Sequence, residues 1–355
     1  MALFVVIENN VSKTGYEHLK NVSTTRYIEI CCRKRNTQTT KRGRAPLTLA
    51  DCMPRFHDNR LRALAEAVRG GTMRAASESL NVAPSSISRQ IAQLEDELGV
   101  PLIERNRSPL KSTEAGEIAL GYYREFTTQR EAFISQVRDL QHLKGGTVKL
   151  AVGEALIGDI LLNVLDRFMS QYPDIRIFIR TAGTADVVGL VLSDEVHLGM
   201  AFQPEPDAKI RVRASSDQPI KVIASPGHPI SKRSSVTFSD LARERLAMPE
   251  TTFRIRHVIK NAESEEHVFL QPVLVSNSLL ALKEFARSGS GITILPAIAA
   301  HPEIEDGRLI AVPIDHPALS HTSASVITRL GRQLPVGAVR LLQKIEANMP
   351  FLATP

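Results

Sequence analysis

The segment 72–99, TMRAASESLNVAPSSISRQIAQLEDELG, carries two helices and the corner between them, and it leaves the backbone few alternatives. Thr72 is placed to N-cap the first helix, because its hydroxyl can accept a free amide of the opening turn. Ala75 and Ala76 are small enough to let a second helix come close. Asn81 and Val82 form the corner, and asparagine tolerates the left-handed backbone that such a corner needs. Pro84 suits the first position of the next helix, where its fixed φ is already right and its missing N–H costs nothing.

In that second helix Ile87, Ile91, Leu94 and Leu98 recur at steps of four, three and four, which makes one apolar stripe. At about 100° per residue, Ser85, Arg89, Ala92 and Gln93 point away from it. A hydroxyl, a guanidinium and an amide on one outward face are the donors that read base edges in a major groove. The alternative is a solvated helix face with no partner.

The flanking pattern favours the first reading. Leu61, Leu64, Ala65 and Val68 predict a preceding amphipathic helix, ended by Gly70 and Gly71. The following VPLIERNRSPLKST predicts a short hairpin that carries Arg105, Arg107 and Lys111 around a turn at 106–109. Three helices and a basic two-stranded wing make a winged helix-turn-helix. Over 61–116 the AAxxxL segment, the APSSISRQIxxLExxLG run and the KSTEAG ending closely resemble the LysR-type transcriptional regulators. Ile103 stands where that family usually has Phe, and it is expected to fill the core under the wing.

The resemblance implies a DNA-reading set. Pro84 opens the recognition helix, and Ser85, Ser86, Arg89, Gln90 and Gln93 lie at or beside base edges. Arg74, Arg105, Arg107 and Lys111 hold phosphates and fix the register. The partner it implies is double-stranded promoter DNA, with RNA polymerase as a further expected one.

A seam of Ala115, Ala119, Tyr122, Phe126, Phe133, Val137 and Leu140 predicts a long helix over 113–143, with Thr113 as its N-cap. A stripe of that length calls for another helix to cover it, either a second copy or the same chain. The resemblance implies the former, a linker helix through which a homodimer or homotetramer forms. Lys144, Gly145 and Gly146 mark a domain boundary.

Beyond it, strand and helix patterns alternate, which predicts a largely parallel, helix-covered sheet. Strands are expected at 147–153, 175–183, 197–202, 211–215, 220–224, 268–276, 291–296, 307–314 and 320–328. Helices are expected at 157–172, 184–192, 239–243, 253–262, 278–287 and 336–347. The resemblance implies two α/β lobes akin to periplasmic binding proteins, lobe one at 145–217 plus 319–355 and lobe two at 218–318. The expected fold class is thus multidomain α and α/β, with domains at 53–112, 113–144 and 145–355.

Charge does not carry the DNA reading. The net +6 resides in residues 1–55, which hold ten Lys/Arg against four Asp/Glu, and the other 300 residues balance at 34 against 34. Segment 1–52 is expected to be an over-extended start or a disordered tail, since Met53 sits eight residues before Leu61. The other reading is a phosphate-binding basic arm. Cys31, Cys32 and Cys52 also fall there, so the remainder has no thiol for a disulfide, a zinc site or a nucleophile. The apolar run at 3–7 is too short to span a membrane and lacks the flanks of a signal peptide, so a cytoplasmic protein with no membrane partner is expected.

Enzyme chemistry finds no motif. There is no HExxH and no GxSxG, and the Gly289/Gly291 pair precedes a strand rather than following one, the reverse of a dinucleotide fingerprint. His228, in an SPGHP turn, is expected at the surface. No cofactor, metal or catalytic residue is expected, only a small-molecule effector.

In two-lobed α/β modules, ligands sit at the carboxyl ends of strands near helix N-termini. By position these are Gly153, Glu154, Ala155, Gly183, Thr184, Phe202 and Gln203 in lobe one, and Thr251, Thr252, Ser276, Asn277 and Ser278 in lobe two. Each could instead be a cap or a turn. Glu154 departs from the Ser or Thr usual in the family. A carboxylate there implies either an effector that is not a simple organic acid in the usual pose, or a Glu154 turned out of the cleft. The function expected is sequence-specific transcriptional regulation under effector control. The alternative is a ligand-binding protein that acts through protein partners with a vestigial DNA head.

Overall fold

The chain divides into two units, 1–123 and 124–355, of which the computed structural model describes residues 58–104, 109–140 and 145–348. Segment 1–57, with its cysteines and basic charge, lies outside the described residues.

The first unit is built from α1 (Asp58–Gly70), α2 (Met73–Leu80), α3 (Pro84–Leu98) and the start of α4 (Glu114–Leu140). The Thr72 hydroxyl accepts the Ala75 N–H at 3.0 Å, and Asn81 takes the left-handed corner at φ 53° and ψ 47°. Pro84 opens α3, and Gly99 closes it at φ 71°. Ile87, Ile91 and Leu94 are buried with Leu61, Leu64, Ala67, Ala76, Leu102 and Ala119 in one core, and Ile103 packs at its edge. The wing joins by an antiparallel bridge between Ile103 and Ser112, with the Glu104 N–H donating to the Lys111 carbonyl at 2.8 Å. Its turn, with Arg105 and Arg107, lies outside the described residues.

A buried carboxylate fixes the approach to the wing. Glu95 accepts the Leu102 N–H at 2.7 Å and the Ile103 N–H at 3.3 Å. Thr113 then caps α4 by accepting the Gly116 N–H at 3.0 Å and donates to the Pro101 carbonyl at 2.7 Å.

The second unit holds two five-stranded sheets. Sheet one is ordered β2 (Ile175–Thr181), β1 (Gly146–Val152), β3 (Leu198–Phe202), β10 (Ser323–Arg329), β4 (Ile210–Asp217). Sheet two is ordered β7 (Pro272–Ser276), β6 (Leu246–Pro249), β8 (Ile292–Pro296), β5 (Ile220–Ala224), β9 (Ile310–Pro313). Each is mixed rather than uniformly parallel: β10 runs antiparallel to β3 and β4, and β5 runs antiparallel to β8 and β9. The cause is the double crossing. β5 follows β4 after two residues, and β10 follows β9 through α12 (Pro317–Ser320), so each odd strand enters its sheet from the other lobe.

In lobe one a 3₁₀ turn (Glu154–Leu156) leads into α5 (Ile157–Ile160), a π-helical turn (Leu161–Leu165) and α6 (Asp166–Gln171), where one unbroken helix is expected from sequence. A π turn adds one residue to a turn without ending the helix. Next comes α7 (Thr184–Leu192), after β2. In lobe two, α8 (Phe238–Leu241), α9 (Arg254–Glu265), α10 (Leu279–Arg287) and α11 (His301–Glu305) cover the sheet. The chain ends with α13 (Val336–Asn348).

The strand expected from 268 begins only at Pro272, because Leu270 is buried and gives its N–H to the Glu263 carboxylate at 3.3 Å. His228 is half-buried rather than exposed. Its ring is 12% exposed, accepts the Ile230 N–H at 3.3 Å and faces Glu244 at 3.6 Å. The Gly289/Gly291 segment turns tightly into β8: Gly289 has φ +73°, and a Cβ at Gly291 would sit 2.1 Å from the Arg245 carbonyl oxygen. Among the described residues no helix is long and apolar enough to cross a membrane.

The lobes interlock. Ala155 and Phe202 of lobe one are buried in the core of lobe two, and Ile298 of lobe two is buried in the core of lobe one.

Candidate DNA-reading face and effector cleft

On α3, Ser85, Arg89 and Gln93 are exposed along one face with Pro84 at its start, while Ser86 and Gln90 are half-buried beside them. That split follows from the anchoring of the helix. Ile87, Ile91 and Leu94 face the core, so positions one step from the stripe are partly covered. Lys111 is exposed on the wing. Arg74 is exposed on α2 and pairs with Glu78 at 3.2 Å, an i,i+4 surface pair too weak to hold the guanidinium from a phosphate. Glu95 had no role assigned from sequence, although it sets the wing on the helix that carries the face.

The effector candidates fall into two groups. Gly153, Glu154, Ala155, Gly183, Thr184 and Phe202 come together around a void of about 30 Å³ that Phe253, Arg254 and Leu279 close from lobe two. Beside it lies a cavity of about 470 Å³, and Thr184 and Thr252 line it together with Glu205, Asp207, Arg254 and His257. The remaining candidates line neither space. Gln203 sits at φ 47° and donates to the His321 carbonyl at 3.2 Å, Thr251 and Asn277 are exposed in turns, and Ser276 accepts the Ser278 N–H at 3.1 Å. Ser278 N-caps α10 by accepting the Ala281 N–H at 3.4 Å.

Two helix N-termini border the larger cavity. Neither α7, preceded by Gly183, nor α9, preceded by Phe253, has a side-chain cap, so first-turn amides remain to meet an anion. Arg254 adds a full positive charge. One of its nitrogens meets Glu205 at 2.8 Å, and its Nε is buried with no hydrogen-bond partner. The Thr184 hydroxyl donates to the Phe202 carbonyl at 2.8 Å. Arg254 and His257 were not singled out from sequence. The signal was the i,i+3 spacing of two basic residues at the N-terminal end of an expected helix.

The far half of α4 is tied to lobe one. Glu131 accepts from His197 Nε2 at 3.1 Å, while His197 Nδ1 accepts the Lys149 N–H at 3.1 Å, so the ring proton sits on Nε2. That hydrogen bond holds the Glu131 carboxyl below the usual glutamate range, against the opposing effect of burial. Arg332 is buried beside it and contacts the Val196 carbonyl and, at 3.2 Å, Asp194; burial pulls its guanidinium below the usual arginine value. Farther along, the Ser135 hydroxyl accepts the Val336 N–H at 3.0 Å, and Asp139 pairs with Arg340 at 2.7 Å.

A helix-turn-helix head with an exposed polar reading face, and a two-lobed module with a charged cleft, define a ligand-responsive DNA-binding protein. The family models give the class its name: "Bacterial regulatory helix-turn-helix protein, lysR family" matches residues 59–117, and "LysR substrate binding domain" matches 141–350. The chain belongs to the LysR family of transcriptional regulators. It is 26% identical over 288 residues to the HTH-type transcriptional activator CmpR of Synechocystis, covering 80% of this chain and 93% of that one. A full-length OxyR variant from Pseudomonas aeruginosa has the same fold, with TM-score 0.63 and 18% identity over 83% of this chain and 96% of that one. The regulatory domain of Synechocystis CcmR, solved in complex with 2-PG, aligns with TM-score 0.51 and 23% identity over 57% of this chain and 96% of that one.

Proposed function

We propose that this regulator reads duplex promoter DNA with α3 and responds to a small anionic molecule held in the cavity between the α7 and α9 N-termini. In this reading Ser85, Ser86, Arg89, Gln90 and Gln93 contact base edges, with Pro84 setting the start of the helix. Arg74, Arg105, Arg107 and Lys111 contact phosphates and carry the salt dependence of binding. α4 pairs with a second copy, and a two-fold assembly then meets a two-fold operator. RNA polymerase is the further partner at the promoter. The protein acts in the cytoplasm, without catalysis and without a resident cofactor.

The observation that carries the effector reading is the cavity of about 470 Å³ bordered by two uncapped helix N-termini and Arg254. That volume suits a metabolite-sized ligand. The guanidinium and two sets of amides favour a carboxylate or phosphate group. Glu205 and Asp207 at the rim favour a ligand that also carries hydroxyl or cationic groups. Gly153, Glu154, Ala155, Gly183 and Phe202 then wall the small void beside it, Gln203, Thr251, Ser276, Asn277 and Ser278 hold turns and caps away from both spaces, and Thr184 and Thr252 touch the ligand. A ligand that binds one lobe arrangement better than another shifts the DNA-bound population by that difference in affinity.

The test is titration of the full chain with 2-PG and with inorganic phosphate, followed by calorimetry. Wild type is expected to bind at least one of them, and Arg254→Ala to bind it about tenfold to a hundredfold more weakly, as befits loss of a charge-assisted contact. Binding that is unchanged in both Arg254→Ala and Thr252→Val would place the effector elsewhere.

A further inference from the structure

The N-terminus of α10 points into the cleft from lobe two, but the chain fills it with a side chain of lobe one. Glu154 Oε1 accepts the Leu279 N–H, the first amide of α10, at 3.1 Å across a separation of 125 residues. Ser278 takes the Ala281 N–H, two residues on from Leu279. The space left around this junction is about 30 Å³, about the size of a water molecule. The contact is reinforced from both sides: Ala155 and Phe202 lie in the core of lobe two, and His301 Nδ1 of lobe two meets Asp159 at 3.2 Å.

We infer that Glu154 is a tethered occupant of a carboxylate-binding position and so determines effector specificity. A helix N-terminus favours a negative charge in front of its free amides. Here that charge is supplied by the chain itself, so an effector carboxylate is excluded from the α10 end twice over. It meets a filled space, and it meets the like charge of Glu154. The anionic group of the effector is left with the open cavity, the Arg254 guanidinium and the uncapped ends of α7 and α9. Because the Glu154 contact joins the two lobes, it also ties them together at this part of the cleft. The assignment of the effector's anionic group rests on the cleft reading above; the occupancy of the α10 end by Glu154 does not.

Chemical rescue tests the inference. The full chain is compared as wild type, Glu154→Ala and Glu154→Gln, with acetate as the probe at constant ionic strength against chloride, and with the Leu279 amide resonance as the readout. Wild type is expected to show no acetate-dependent shift at Leu279. Glu154→Ala vacates the space and is expected to bind acetate at least about tenfold more tightly than wild type, with a saturating shift at Leu279. Glu154→Gln keeps a neutral acceptor in place and fills the same space, so acetate is expected to stay excluded. It also keeps the test available if Glu154→Ala does not fold, since acetate reaching Leu279 in Glu154→Gln as readily as in solvent-exposed amides would overturn the inference. A shift at Leu279 of equal size in all three proteins, or a shift in none, would overturn it as well. Rescue by acetate in a protein whose wild type ignores both 2-PG and phosphate leaves the Glu154 assignment standing and removes only the cleft reading.

Discussion

Gly116 is where α4 packs tightly on the segment that leads into the wing. A Cβ at that position would lie 2.1 Å from the Leu102 carbonyl oxygen, 3.1 Å from its carbon and 3.0 Å from Ser112 Cβ. Ordinary contact requires the helix and that segment to part by about 1 Å. Leu102 is fully buried, its carbonyl accepts the Thr113 N–H at 3.0 Å, and its own N–H is held by Glu95 at 2.7 Å, so it has no direction in which to yield. Overpacking costs about 1–3 kcal/mol, and losing the Thr113 bond adds about 1 kcal/mol. Alanine's better helix propensity offsets roughly 0.5–1 kcal/mol of that. The net destabilisation of Gly116→Ala is then about 2–3 kcal/mol, which for a unit of this size lowers its melting temperature by roughly 10–20 °C.

Gly121 in the same helix is the control, because a Cβ there meets nothing within 4 Å. Gly121→Ala should stabilise by up to about 1 kcal/mol through propensity alone. Calorimetry of the full chain should show the transition of the first unit falling for Gly116→Ala and rising slightly for Gly121→Ala, with the second unit's transition unmoved. Specific DNA affinity should fall with the first. If Gly116→Ala melts at or above Gly121→Ala, the close approach at Leu102 is not what requires glycine.

Two further predictions address the reading face and the helix tie. Arg89→Ala should cost about 1–3 kcal/mol of specific binding and relax base preference, whereas Lys111→Ala should weaken all sequences alike and reduce the salt slope by about one unit; electrophoretic titration on specific and random duplexes separates them. Equal losses on both duplexes for both variants would mean that α3 presents another face to DNA. Glu131 has a carboxyl pKa lowered by the His197 hydrogen bond, so its contribution to stability is fully present above its unfolded value of 4.5 and is lost as pH falls through the lower folded value. The carboxylate is 44% exposed, so the contribution is under about 1 kcal/mol. Melting temperatures between pH 6 and 3 should therefore converge for wild type and Glu131→Gln at the acid end, and parallel curves would refute the assignment.

The head was legible because its determinants are local. Thr72, Asn81 and Pro84 each fix one backbone feature within a few residues, and the stripe of Ile87, Ile91 and Leu94 orients the face without reference to anything distant. The second unit is governed by contacts far apart in sequence. That β5 and β10 run against their neighbours follows from where the chain crosses between lobes, which no strand's own residues record. The cleft shows the same limit. Thr184 and Arg254 line one cavity though seventy positions apart, so the caps after the lobe-one strands were readable while the arginine opposite them was not. Glu154 stood out as an unusual residue, but its partner Leu279 offers only a backbone amide, and a backbone amide has no sequence signature.

The central claim, a DNA-binding regulator that reads a defined site through α3, is tested most directly by sequencing genomic fragments captured by the purified full chain beside its Arg89→Ala variant. The account predicts enrichment of a two-fold-symmetric site upstream of particular genes, lost or degenerate in the variant. Fragments indistinguishable from input with a folded wild-type protein, or the same site enriched equally by Arg89→Ala, would contradict it.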